Sequence, residues 1–262
     1  MAFLNSSVLL ILLILILRLQ SSSSSSGNIF FLSVANPDNV IKSSNKVFTA
    51  GFYNVGKNAF VFAIWFTEPQ GENLTLIWMA NRDDPVNGIG STLTLHATGN
   101  LVLNDANQFD VWATNTTSTT SPKLVLNDNG NLHLTESNGK ILWQSFDHPT
   151  DTLVPEQPLI RFTKLVSSRS QTNCSSGFYK LFFDNDNVLR LLYDGLDVSS
   201  IYWPDPWLVS WEAGRSTYNA SRTAILNSYV EKTGERNGEF HGKPNHNLAR
   251  FMASVEPTVF AL

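Results

Sequence analysis

The sequence predicts an all-β chain whose first part is assembled from repeated units, and three observations carry that prediction. First, between Gly27 and about Phe162 short β-branched, aromatic or alternating stretches follow one another: NAFVFAIWF, LTLIWMA, STLTLHA, NLVLN, KLVLN and NLHLT. Asn-Gly, Asp-Asn-Gly and Pro-containing breaks separate them, and no helical period persists. Second, Leu93 and Leu124, Leu95 and Leu126, Asn100 and Asn131, and Trp112 and Trp143 are each 31 residues apart. Third, Trp78 stands 34 residues before Trp112, and WMANR there echoes WATNT.

A fixed period carrying a large aromatic residue marks a unit that cannot bury its own apolar face. Three copies with one Trp each predict a pseudo-threefold arrangement in which Trp78, Trp112 and Trp143 meet near the axis. A tryptophan buries roughly 150–250 Å², so three can nucleate a core without disulfides. That matters here, because Cys174 is the only cysteine of the chain and cannot pair internally. Cys174 is left buried, reactive or joined to another chain, and its place inside an N-x-S sequon argues against burial.

The 262 residues carry a formal charge of −4, with 42% hydrophobic and 15% charged residues. This is the composition of a globular protein with a sizeable core. The slightly acidic balance gives no support for nucleic-acid binding. At the N-terminus, MAFLNSSVLLILLILILRLQ holds an apolar run from Val8 to Leu17 before the tract Ser21–Ser26. Ten residues at helical rise reach about 15 Å, half of a bilayer core, so residues 1–26 read as a signal peptide rather than a span. No Lys or Arg precedes the run, which departs from the usual pattern. Sequons at Asn73, Asn115, Asn173 and Asn219 then favour a secreted, N-glycosylated protein, extracellular after cleavage.

Residues 27–160 form the repeated domain, and residues 161–177 read as a linker. Strands resume in FYKLFFD, NVLRLLYD and VSSIYWP, so residues 178–226 are expected to be part of a second β module. The Trp-Pro run Trp203–Trp211 reads as its core or as an exposed aromatic platform, with core the favoured reading. In the tail, residues 227–262, alternation fades and polar residues with Gly and Pro take over.

The strings WMANRDDPVNG, GSTLTLHATGNLVL, VWATNT and LWQSFDHPTDTLVP resemble the bulb-type (monocot mannose-binding, G-type) lectin domain. More narrowly, they resemble that domain at the head of plant S-locus-type receptor-like serine/threonine kinases, over roughly residues 28–226. The resemblance implies a β-prism of three four-stranded sheets around a pseudo-threefold axis, followed by an incomplete second lectin-like module. It also implies recognition of mannose-type or related glycans.

The family's sugar motif is Q-x-D-x-N-x-V-x-Y, whose alternate side chains share one strand face. On this chain the first copy runs His96, Thr98, Asn100, Val102, Asn104, keeping Asn and Val. The second runs Asn127, Asn129, Asn131, His133, Thr135, keeping only Asn, and the upstream copy has no match. Losing the Asp matters most, because charged hydrogen bonds contribute roughly 1.5–3 kcal/mol against about 1 for neutral ones. The bland reading of Gly99-Asn100 and Gly130-Asn131 is that hairpin tips need those conformations.

Other constellations are weaker. Asp147, His148 and Asp151 sit in a Pro-containing turn and read as structural. Asp184–Val188 starts like a calcium loop but lacks its Gly and distal Glu. His241 and His246 have no partners at zinc-ligand spacing. No metal or cofactor is implied, and no catalytic motif is present, so the chain reads as a non-enzyme. Three fates are open to the incomplete second module: docking on the first domain, homodimerisation or partial disorder. The competing function is a protein-interaction module or decoy pairing with receptor-like kinase ectodomains without binding sugar. A truncated copy without selected activity is the third reading.

Overall fold

The computed structural model describes residues 28–68, 74–203, 223–225 and 249–250. The expected signal peptide, the sequons at Asn73 and Asn219, residues 204–222 and nearly all of the tail lie outside them. Among the described residues the regular structure is strand, with one 3₁₀ turn at Ser145–Asp147. No described helix is long and apolar enough to cross a membrane.

The first part runs β1 (Asn28–Ser33), β2 (Ile41–Lys42), β3 (Phe48–Gly56), β4 (Ala59–Phe66), β5 (Leu76–Met79) and β6 (Val86–Asn87). It continues with β7 (Thr92–His96), β8 (Leu101–Asn104), β9 (Asp110–Ala113), β10 (Lys123–Leu126), β11 (Leu132–Thr135) and β12 (Ile141–Gln144). These strands make three sheets. One is ordered β2-β3-β4-β5 with β6 beside β4, the second β1-β7-β8-β9, and the third β10-β11-β12. The 31-residue repeat reappears in the register: Leu103 pairs with Trp112, and Leu134 with Trp143. In the upstream copy Ile64 pairs with Trp78.

Alternation explains the core. Leu93, Leu95, Leu101, Leu103, Leu126, Leu132 and Leu134 take alternate strand positions and point inward, and six of them are fully buried. They join Phe62, Ile64, Trp78 and Trp143 in a single cluster contributed by all three sheets. The three indoles meet as expected. Their centroids lie 6.1 Å (Trp78–Trp112), 5.6 Å (Trp78–Trp143) and 5.5 Å (Trp112–Trp143) apart. All three pairs are edge-to-face, the arrangement that ring quadrupoles favour.

The hairpin tips explain the repeated glycines. In the turn 96–100 the Gly99 N–H donates to the His96 carbonyl at 2.9 Å, and the same bond joins Gly130 to Asn127 at 3.0 Å. Gly99 and Gly130 have φ of +94° and +87°, the left-handed region that costs an L side chain.

After β13 (Thr152–Leu153) and β14 (Pro158–Ile160), a second unit is built from β15 (Lys164–Ser168), β16 (Ser176–Phe183), β17 (Leu189–Asp194) and β18 (Ser199–Trp203). They form one antiparallel sheet in that order. The segment expected to be a linker, residues 161–177, thus holds the first strand of this sheet, because KLVSS alternates well enough to pair with β16. Short strands β19 (Thr223–Ile225) and β20 (Ala249–Arg250) pair with β14 and β13. Trp203 is 38% exposed rather than core.

The second sheet docks on the first part through Arg82, which is 8% exposed. Its Nε donates to the Cys174 carbonyl at 2.8 Å, Nη1 to Val166 O at 2.8 Å, and Nη2 to Ser167 O at 3.1 Å and Ser175 O at 3.3 Å. Asp151, 1% exposed, lies 3.9 Å from Nη2 and accepts from the hydroxyls of Thr152 and Ser168. The acidic cluster read from SFDHPTDT therefore separates. Asp151 belongs to this buried lock, while Asp147 and His148 stay exposed. Cys174 is half-buried against Val61, Ala63, Leu76 and Met79.

Candidate functional site

On the β1-β7-β8-β9 sheet the positions of the first motif copy fall at the β7–β8 tip and along β8. Thr98 is exposed, and His96, Asn100 and Asn104 are half-buried. The Asn100 Oδ1 accepts from the Thr114 hydroxyl at 3.1 Å, and that same oxygen of Thr114 receives the Leu101 N–H at 3.1 Å. Asn100 thus ties the hairpin tip to the end of β9. Val102 is 5% exposed, so its methyls offer no open apolar face. Asn104 donates to Asp110 Oδ1 at 2.6 Å, at the end of the β7–β8 hairpin away from His96.

The second copy repeats the lock. Asn131, 4% exposed, accepts at Oδ1 from the Ser145 hydroxyl at 3.1 Å and from the Phe146 N–H at 3.2 Å. Ser145 Oγ in turn receives the Leu132 N–H at 2.9 Å. Thr114 and Ser145 are themselves 31 residues apart, a spacing that would have disclosed the Asn-hydroxyl pair from sequence. Asn129 turns inward on the tip, accepting the Asn131 N–H at 3.1 Å.

Around the second copy, however, the outer sheet face gathers a polar cluster that motif spacing does not predict. Val125, His133 and Gln144 are cross-strand neighbours on β10, β11 and β12. Asn131 Nδ2 donates to Gln144 Oε1 at 2.9 Å, and Gln144 Nε2 donates to Asp147 Oδ1 at 2.9 Å. Asn127 Nδ2 contacts His133 Nδ1 at 3.0 Å, which requires that ring nitrogen to accept. Partial burial holds the His133 pKa below its ordinary 6.5, opposed by a hydrogen bond from Gln144 and the charge of Asp147. Val125 beside it is 44% exposed. An imidazole, two amides and a carboxylate thus border an open apolar patch. Sequence reasoning missed Val125 and Gln144, which lie outside the nine-residue motif, and reads Asp147 only as part of a structural turn.

Where the three tryptophans meet, a cavity of about 380 Å³ opens, lined by Trp78, Trp112, Trp143, Arg82, His148 and Thr150 among others. The His148 ring lies 8° from parallel with Trp143 at a centroid distance of 5.5 Å, and its carbonyl accepts from Trp78 Nε1 at 2.8 Å. No group of His, Cys, Asp and Glu able to hold a metal ion occurs among the described residues.

Comparison with known proteins agrees with the strands and motifs above. The D-mannose binding lectin family matches residues 75–174. The receptor protein kinase ZmPK1 of Zea mays is 38% identical over 192 residues, covering 72% of this chain and 23% of that protein. The S-locus-specific glycoprotein BS29-1 of Brassica oleracea var. alboglabra is 31% identical over 258 residues, covering 87% of this chain and 57% of that protein. Among solved structures, the mannose-specific agglutinin of snowdrop (Galanthus nivalis) bulbs, complexed with methyl-α-D-mannoside, is 16% identical. It covers 70% of this chain and 95% of its own, with a TM-score of 0.21. The chain spans well under two thirds of the curated relatives it matches, and the kinase relatives align with its lectin region alone. The chain carries a bulb-type lectin domain and is homologous to S-locus glycoproteins and to the lectin regions of G-type lectin S-receptor-like kinases.

Proposed function

We propose that this chain is a secreted, N-glycosylated and non-enzymatic lectin, and that it recognises mannose-type glycans on the outer face of the β10–β12 sheet. The observation that carries this reading is the cluster Asn127, His133, Gln144 and Asp147 around exposed Val125. Sugar recognition needs acceptors for hydroxyls and an apolar surface for the ring. The motif's Asp position is taken by Asn129, but Asp147 brings a carboxylate to the same face from the turn after β12. Val125 supplies the methyls that His133 replaces at the motif's Val position. The β1-β7-β8-β9 sheet fits less well, because Asn100 is committed to Thr114 and Val102 is buried. His96, Thr98 and Asn104 there take no part in the binding proposed.

Calorimetric titration of the secreted protein with methyl-α-mannoside and a mannose-type oligosaccharide tests this. Asp147→Asn removes the charge at an exposed position and should weaken binding about tenfold, the difference between a charged and a neutral hydrogen bond. His96→Ala should leave it nearly unchanged. A folded protein that ignores millimolar sugar would refute the lectin reading. It would favour the alternative in which the domain pairs with a receptor-like kinase ectodomain, a reading supported by homology to those receptors.

A further inference from the structure

The cavity at the tryptophan end of the prism has a sequon on its rim. Asn115, in Asn115-Thr116-Thr117, is one of the residues lining it. The residue is exposed and takes φ of +54°, a left-handed conformation that Asn tolerates better than most residues. Its side-chain amide makes no hydrogen bond among the described residues, and Thr117 beside it is exposed. The other described sequon differs, for the Asn173 Oδ1 accepts from both the N–H and the hydroxyl of Ser175.

The cavity walls suit a sugar. Trp112 and Trp143 border it with indole N–H groups that make no hydrogen bond among the described residues, and the exposed ring of His148 lies flat on Trp143. Thr150, 8% exposed, forms another wall, and its hydroxyl is buried without a hydrogen-bond partner. Aromatic walls with a few unpaired donors are what a pyranose with an acetamido group requires, and about 300–1,000 Å³ is the usual size of such sites. The cavity, about 380 Å³, lies within that range.

We infer that the Asn115 amide carries an N-linked glycan whose first N-acetylglucosamine folds back into this cavity and caps the tryptophan end of the prism. The inference rests on the secreted reading above, because the donor is a lipid diphosphate-linked oligosaccharide of the secretory pathway. In that transfer the Asn115 amide nitrogen forms a bond to the sugar C1, and the C1–oxygen bond to the diphosphate breaks. The lipid diphosphate departs, and the amide loses one proton. This glycan is a resident part of the protein. The sugar recognised at the β10–β12 face is a separate, exchangeable ligand.

The test uses the full chain secreted from a eukaryotic host. Peptide mass spectrometry reads occupancy at each sequon, and acrylamide quenching of tryptophan fluorescence reads cover over the cavity. The proposal expects a glycan on Asn115 and greater quenching in both Asn115→Gln and Thr117→Ala than in the parent. Trimming with an endoglycosidase that leaves one N-acetylglucosamine should preserve the parent's quenching, because the first sugar fills the cavity. An occupied Asn115 with identical quenching in all forms overturns the docking. A bare Asn115 beside an occupied Asn173 overturns the site alone. A chain that stays inside the host cell and carries no glycan at any sequon overturns the secreted reading on which the proposal stands.

Discussion

Replacing Arg82 by Met should be among the most destabilising single changes in this protein. The guanidinium donates to four backbone carbonyls of the second unit, those of Val166, Ser167, Cys174 and Ser175, and faces buried Asp151 at 3.9 Å. Met fills much of the volume but leaves those carbonyls without their donor and a carboxylate that is 1% exposed without its counter-charge. Removing one partner of a buried ion pair costs about 3–5 kcal/mol, and each stranded carbonyl about 1–3 kcal/mol, non-additively. A net loss of about 4 kcal/mol, with a urea slope of about 2 kcal/mol/M, lowers the unfolding midpoint by about 2 M. Arg82→Lys should recover little of this, since an ammonium cannot reproduce the fork. Arg82→Met with Asp151→Leu should be more stable than Arg82→Met alone, because no unpaired buried charge remains. Urea unfolding followed by tryptophan fluorescence and by far-ultraviolet circular dichroism measures all three variants. A loss under about 1 kcal/mol in Arg82→Met would refute the argument that this side chain locks the two units together.

Asn131→Ala should cost about 2–3 kcal/mol, because it strands the buried Ser145 hydroxyl and Phe146 N–H. Asn100→Ala, at the half-buried equivalent, should cost about 1 kcal/mol by the same denaturation assay. Gly130→Ala should be clearly worse than Gly139→Ala, although both have positive φ. A methyl at Gly130 would meet Ile77 and Phe48 at 3.0 Å, whereas nothing lies within 4 Å at Gly139; thermal midpoints of the two variants make the comparison. His133 titrates lower in the folded chain than its ordinary 6.5, so between those two values the unfolded chain binds more protons. Stability should therefore fall as pH drops through about 6.5 and level off below the folded pKa, and His133→Gln should flatten that slope in midpoints measured from pH 8 to 5.

The all-β class, the 31-residue register and the meeting of three tryptophans could be read from the sequence, because each depends on local alternation or on a spacing repeated inside the chain. Asn100 and Asn131 were identified, but their work was not. Their hydroxyl partners lie 14 residues further on, and a strand pattern does not report which side chains a turn brings back. The same limit hid Gln144 and the link from Asp147 to it, since a carboxylate reaching the β11 face from a 3₁₀ turn belongs to no motif on that strand. Arg82 was harder still. It reads as an ordinary exposed charge in WMANRDDP, and its carbonyl partners stand 84 to 93 residues away. KLVSS reads as part of a connection because five residues ahead of the polar run RSQTN offer too few alternations to stand out.

The measurement that bears most directly on the central claim is a two-dimensional NMR titration of the secreted protein with methyl-α-mannoside, following the His133 imidazole and the side-chain amides of Asn127 and Gln144. The account predicts saturable shifts at these groups and at Val125, with His96 and Asn104 nearly unmoved. Shifts confined to the β7–β8 hairpin, or none at any concentration on a folded protein, would contradict it.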